Sequence, residues 1–145
     1  MMSRTVVDAS VAIKWFTPED LSERADQIAV SGSTLLAPKL ILIEVANAFR
    51  VKTLRNLITA EDASEYLASL PRYFDSLFEQ DDLVPSALSL ACSLRHPVYD
   101  LLYVEAARRH DAVLVTADRS LVEALAGTKQ SRYVVHLADW SPSGG

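Results

Sequence analysis

Four carboxylates in this chain stand where an apolar element has no ordinary use for a charge: Asp8, Glu44, Asp100 and Asp118. Asp8 ends the run Thr5-Val6-Val7, and Glu44 interrupts Leu40-Ile41-Leu42-Ile43 and Val45-Ala46. Asp100 opens Leu101-Leu102-Tyr103-Val104, and Asp118 follows Ala112-Val113-Leu114-Val115-Thr116. A carboxylate in apolar surroundings must be protonated, paired or bound to a cation. Four of them, spread along the whole sequence, imply a fold that gathers them into one metal site.

Each acid has an ordinary explanation when taken alone. Asp8 and Asp118 suit helix N-caps, and Asp100 suits the positive end of a helix dipole. Glu44 resists such a reading, because no basic residue lies three or four positions away. Asn47 shares its face and is the expected hydrogen-bond partner or orienting group. Ser10 and Thr116 carry hydroxyls close to the acids and serve equally well as supporting groups or as caps.

The elements that must position these acids alternate. Strand-like runs are read at Thr5-Asp8, Thr34-Ala37, Ala112-Thr116 and Tyr133-Leu137, with a weaker, polar candidate at Leu77-Gln80. Helical patterns fall at about 10–16, 21–31, 39–52, 59–71, 86–94, 99–110 and 120–126. This alternation predicts parallel pairing through crossovers, hence an open α/β sheet with helices on both faces. Asp8 and Asp118 then stand at carboxyl ends of strands, where such sheets hold their ligands. On the helices, Glu44 and Asp100 share apolar stripes that face the sheet, whereas Glu105 is expected outside, paired with Arg108 and Arg109. One domain is expected over residues 1–140, with 141–145 as a disordered tail.

Bulk properties narrow the classes. The 145 residues are half apolar, enough for a real core, and no stretch approaches a membrane span. No secretory signal is recognisable at the N-terminus, so a cytoplasmic protein is expected. Cys92 is the only cysteine, which excludes an internal disulfide and a thiolate cluster, and it is expected to be a buried core residue. The formal charge is −5, from 19 acidic and 14 basic residues. With the four acids set aside the remainder is nearly balanced, so the excess charge belongs to the site and would need cations to meet a phosphate backbone. His96, His110 and His136 lack zinc-site spacing, and neither a G-x-S-x-G elbow nor a phosphate-binding glycine loop is present. Trp15 and Phe16 are expected to anchor the core or an interface.

These residues together resemble the PIN-domain ribonucleases, and in particular the VapC-type toxins of type II toxin–antitoxin systems. The resemblance runs from Val6 to Trp140. It rests on Val6-Val7-Asp8-Ala9-Ser10-Val11, Ala37-Pro38 followed by Glu44-Val45-Ala46-Asn47, Val98-Tyr99-Asp100-Leu101-Leu102-Tyr103, Leu114-Val115-Thr116-Ala117-Asp118-Arg119, and Val134-Val135-His136-Leu137-Ala138-Asp139-Trp140. It implies a three-layer α/β/α PIN-like domain with a central, mainly parallel five-stranded sheet. It also implies a Mg²⁺-dependent endoribonuclease, with Mn²⁺ as a substitute, that hydrolyses RNA phosphodiesters and is inhibited by a VapB-type antitoxin.

Asp8 and Asp100 are the expected primary ligands. Asp118 would complete the site, and Glu44 would hold a water or a second cation. Lys14 and Arg119 are candidates for steering the RNA backbone. A homodimer is expected, with Tyr66, Leu67, Leu70, Tyr73 and Phe74 as contact residues. The rivals are a catalytically weak RNA-binding PIN scaffold, a receiver-like signalling domain and a metal-dependent phosphatase. The phosphatase would want a second acid where Ser10 stands, and the receiver lacks its paired acids.

Overall fold

In the computed structural model, which describes residues 3–142, the alternation read from the sequence becomes a five-stranded, fully parallel sheet. The strands are β1 (Arg4–Val7), β2 (Thr34–Pro38), β3 (Ser76–Phe78), β4 (Val113–Thr116) and β5 (Val134–His136). Their spatial order is β3-β2-β1-β4-β5. The helices are α1 (Ala9–Ala12), α2 (Ser22–Ala29), α3 (Leu40–Leu54), α4 (Ala60–Ser69), α5 (Val84–Leu94), α6 (Val98–Arg109) and α7 (Arg119–Leu125). The chain winds outward from β1 to β3, then returns through α5 and α6 to start β4 on the opposite side of β1. The order therefore reverses between β1 and β4, and it is outside the carboxyl ends of two such strands that a sheet of this kind has its ligand crevice.

Successive residues Val6 and Val7 are both fully buried, so both faces of β1 are covered. The register pairs Val7 with Val115, which sets Asp8 beside Thr116 one step further along. Helix α6 packs across β1, β2 and β4 and also meets α5. Its residues Leu101 to Ala107 are buried without a break, as befits a helix covered on all sides.

That coverage corrects one expectation. Glu105 is buried rather than outside, where it accepts an ion pair from Arg108 at 2.6 Å, while Arg109 pairs with Asp82. Cys92 is corrected in the opposite sense. Ala87 and Ala91 form the buried stripe of α5, and Cys92, one residue (about 100°) further round the helix, is exposed.

The weak third strand is present as a short edge strand, with Glu79 and Gln80 just beyond it. Their polarity has a local cause. Gln80 Oε1 accepts the Leu40 N–H at 3.0 Å at the start of α3, and Glu79 pairs with Lys39. Thr59 and Asp62 form a capping box at the start of α4.

Six aromatic residues, Trp15, Phe16, Phe49, Tyr66, Tyr73 and Phe74, form one cluster inside the chain. Trp15 stacks on Tyr73 with centroids 4.5 Å apart, and Phe16 meets Phe49, Tyr66 and Tyr73. Leu70 is fully buried, so much of the surface expected to make a dimer contact is used in packing α1, α3 and α4 together. Of the expected tail, residues 143–145 lie outside the described residues. Among the described residues no helix is long and apolar enough to cross a membrane.

Candidate metal centre

The four acids reach the crevice from four different elements. Asp8 follows β1 and caps α1, Asp118 follows β4 and caps α7, Glu44 lies in the second turn of α3, and Asp100 lies in the first turn of α6.

Asp8 is the most buried. Ser10 Oγ donates to its Oδ1 at 2.5 Å, Thr116 Oγ1 donates to its Oδ2 at 2.6 Å, and the Val11 N–H points at Oδ1 from 3.4 Å. The same hydroxyls accept backbone donors from the β4 loop, Ala117 N–H on Ser10 and Asp118 N–H on Thr116. Ser10 and Thr116 thus lock the ends of β1 and β4 together. Burial pushes the Asp8 carboxyl up to about 6; its two hydroxyl donors oppose the rise and the Asp100 charge adds to it. Burial also raises Glu44, with Asp100 adding to the rise and the Tyr103 hydroxyl opposing it.

The other three acids share a pattern. Ser120 donates through both N–H and Oγ to Asp118 Oδ1, at 2.9 and 2.6 Å. His96 Nε2 bonds Asp100 Oδ2 at 2.8 Å, and the Tyr103 hydroxyl donates to Glu44 Oε1. Among the described residues each of these carboxylates has one oxygen held by a protein donor. The other oxygen, Asp118 Oδ2, Asp100 Oδ1 or Glu44 Oε2, accepts no hydrogen bond from the protein. Among the described residues no Lys or Arg pairs with any of the four. Clustered carboxylates that leave open oxygens without a basic partner are a donor set for a hard divalent cation. Ligand atoms of His96, Asp100 and Asp118 lie within 4.8 Å of one another.

Two of these neighbours were not singled out as site groups. His96, judged isolated for want of histidine-ligand spacing, stands four residues before Asp100 and bonds it. The spacing was visible, but only a pairing with a carboxylate gives it meaning. Tyr103 was read as part of the apolar stripe of α6, yet its hydroxyl needs a partner when buried, and Glu44 is that partner. The Glu44 charge also drives the Tyr103 pKa well above that of an ordinary phenol, as burial does more strongly. Asn47, expected to orient Glu44, is exposed and makes no hydrogen bond to it among the described residues. Lys14 is tied to Glu19 at 3.1 Å with most of its side chain buried, whereas Arg119 is exposed beside Asp118.

Tyr103→Phe is expected to cost about 1.5–3 kcal/mol at pH 7.5, the range for a bond to a charged acceptor, and less near pH 4. The tyrosine bond favours ionised Glu44, so its contribution fades as pH falls through the Glu44 pKa. Urea denaturation at the two pH values checks this, and an equal loss at both would show that the bond does not depend on the charge.

This fold finds its counterpart among known proteins. The chain matches the PIN domain family over residues 5–125, and it belongs to that family. It is similar to Ribonuclease VapC3 of Pyrobaculum aerophilum, 32% identical over 122 residues that cover 83% of this chain and 93% of that protein. Ribonuclease VapC1 of Mycobacterium tuberculosis is 31% identical over 125 residues, covering 85% and 92%. The crystal structure of PAE2754 from Pyrobaculum aerophilum superposes with a TM-score of 0.69 at 24% identity, covering 95% of this chain and 93% of that one. A toxin–antitoxin complex from Klebsiella pneumoniae gives a TM-score of 0.64 at 15% identity, with 95% and 97% covered. At these identities the two structures speak to the fold, a three-layer α/β/α arrangement.

Proposed function

We propose that this protein is a VapC-type toxin, a divalent-metal-dependent endoribonuclease that works through Asp8, Glu44, Asp100 and Asp118. The observation that carries the reading is the arrangement of these acids at the sheet's switch point, three of them with one oxygen tethered and one open. The ribonuclease names of its relatives support the substrate class.

Asp100, Asp118 and Asp8 would hold the cation, Mg²⁺ or in its place Mn²⁺, with Glu44 at the edge of the site. Bound there, such a cation lowers the pKa of water and stabilises charge on the phosphodiester oxygens. The residues of the chain do the rest. Ser10 and Thr116 fix the Asp8 rotamer and bind the two strand ends into one rigid platform. Glu44, raised toward neutrality and held at Oε1 by Tyr103, offers Oε2 to take a proton from the attacking water. Arg119 is placed to meet a backbone phosphate. Both Asp8 oxygens are engaged by donors in a buried position, which suits a fixed ligand better than the nucleophile a phosphatase would need.

A VapB-type antitoxin would inhibit by covering the crevice and presenting a cation to the open oxygens. A homodimer and a cytoplasmic setting complete the reading. The test is cleavage of RNA by purified protein with Mg²⁺, Mn²⁺ or EDTA, beside Asp8→Asn and Asp100→Asn. Cleavage should require metal and fall by at least about 100-fold in either variant, a loss of roughly 3 kcal/mol in transition-state stabilisation. Variants as active as the parent would refute the site.

A further inference from the structure

The tether on Asp100 is built differently from the others. Ser120 belongs to the cap of α7, and Tyr103 is a core aromatic. His96 belongs to neither kind of element; it lies in the three-residue connection Arg95-His96-Pro97 between α5 and α6. Three local features fix it there. Arg95 adopts a left-handed conformation (φ 54°) that ends α5, an unusual one for a residue with a side chain. The His96 N–H then bonds the Ala91 carbonyl at 3.2 Å. Pro97 next restricts the backbone at the N-cap of α6.

Asp100 is the third residue of that helix. An acid at this position ordinarily turns back to bond the N-cap N–H, as Asp62 does at Thr59. Pro97 has no N–H, so the usual partner is missing and the carboxylate is free to point into the crevice. His96 takes up Oδ2 instead. A carboxylate only accepts, so Nε2 carries the proton and donates it. The imidazole is largely enclosed, with 12% of its side chain exposed against 31% for Asp100.

We propose that His96 is a positioning residue, which holds Asp100 Oδ2 through Nε2–H so that Oδ1 is presented to the cation. This rests on the metal-dependent reading above. His96 acts through Asp100 and needs no contact with RNA.

The experiment is titration calorimetry of Mn²⁺ and Mg²⁺ into the full chain without RNA, for the parent, His96→Gln, His96→Asn, His96→Leu and Asp100→Asn, with melting temperatures alongside. The Gln amide nitrogen sits where Nε2 does and should keep affinity within a few-fold of the parent. Leu has no donor and the Asn amide is too short to reach, so both should bind each metal about 10–100-fold more weakly, the usual cost of losing an orienting partner. Melting temperatures of Gln, Asn and parent should stay close. If His96→Leu fails to fold, the contrast between Gln and Asn decides.

Parent-like affinity in Leu or Asn overturns the proposal. So does a Gln protein that loses Mn²⁺ and keeps Mg²⁺, which would make the imidazole a direct ligand. If Asp100→Asn abolishes binding while the donor-less variants bind normally, the metal reading stands and this one falls. A parent that binds neither metal removes both.

Discussion

Asp8→Asn is expected to melt at a higher temperature than the parent in metal-free buffer at pH 7.5, although it loses metal binding and RNA cleavage. Asp8 is buried, and burial holds its carboxyl pKa at about 6 in the folded chain, above the ordinary value of 3.8. A raised carboxyl binds more protons folded than unfolded. Its contribution to stability is therefore fully present below about pH 3.8 and is lost as pH rises through about 6. At pH 7.5 the folded protein carries that charge at a cost of up to about 3 kcal/mol, or roughly 10 °C for a chain of this size.

Asparagine removes the charge and keeps the shape. Its carbonyl can accept from Ser10 and Val11, and its amide can donate to the Thr116 hydroxyl, which is free to rotate. The gap between variant and parent should therefore open between pH 5 and 7.5 and close near pH 4. Scanning calorimetry at the three pH values measures it. A variant that melts below the parent throughout would mean that the Ser10 and Thr116 bonds stabilise the anion by more than burial destabilises it. An acid held against its own folding energy fits the proposed role of Asp8, since activity is commonly traded against stability.

The candidate acids were legible in the sequence because each stands in or beside an apolar run. A charge within Leu40–Ala46 has no ordinary structural use, and Asp8, though it also caps α1, ends a buried strand, so the four could be named as candidates before their distances were known. Ser10 and Thr116 were legible for a related reason, being hydroxyls beside acids at strand ends. The reversal of strand order between β1 and β4 was not legible, since local pattern gives the elements but not how they are arranged side by side. It is this reversal that makes four distant acids into one crevice.

Glu105 and Cys92 were misplaced because face assignment from one stripe assumes a helix with a dry side and a wet side. Helix α6 has no wet side through its middle, and α5 is buried only along its small alanines. His96 escaped notice because histidine was weighed as a zinc ligand rather than as a donor to an acid one helical turn away. Tyr103 escaped because a buried aromatic ring is sufficiently explained by packing, and only its hydroxyl asks for more.

Saturating Mn²⁺ or Mg²⁺ is expected to cancel the pH dependence set by Asp8. At a free cation concentration near 100 times its dissociation constant, binding to the folded state alone adds about 2.7 kcal/mol, or roughly 8–10 °C of melting temperature. That gain requires an ionised site. Asp8 must release its proton, and with a pKa of about 6 it is mostly protonated at pH 5. Apparent affinity should therefore fall about tenfold per unit below pH 6, and the gain should shrink by about 1.4 kcal/mol for each unit.

Without metal the parent is more stable near pH 5 than at pH 7.5, as far as Asp8 decides the matter. With metal, the difference closes, because the gain lost at pH 5 equals the stability that protonated Asp8 supplies there. The charge that weakens the empty fold is then the charge the cation needs, so one residue accounts for both effects. Asp8→Asn should show neither the metal gain nor the pH dependence that the metal cancels, while Ser64→Ala, an exposed change on α4, should show both. Melting curves at pH 5 and 7.5, with excess Mn²⁺ and with EDTA, are sufficient. A metal gain equal at the two pH values, or retained in Asp8→Asn, would place the cation somewhere other than beside Asp8.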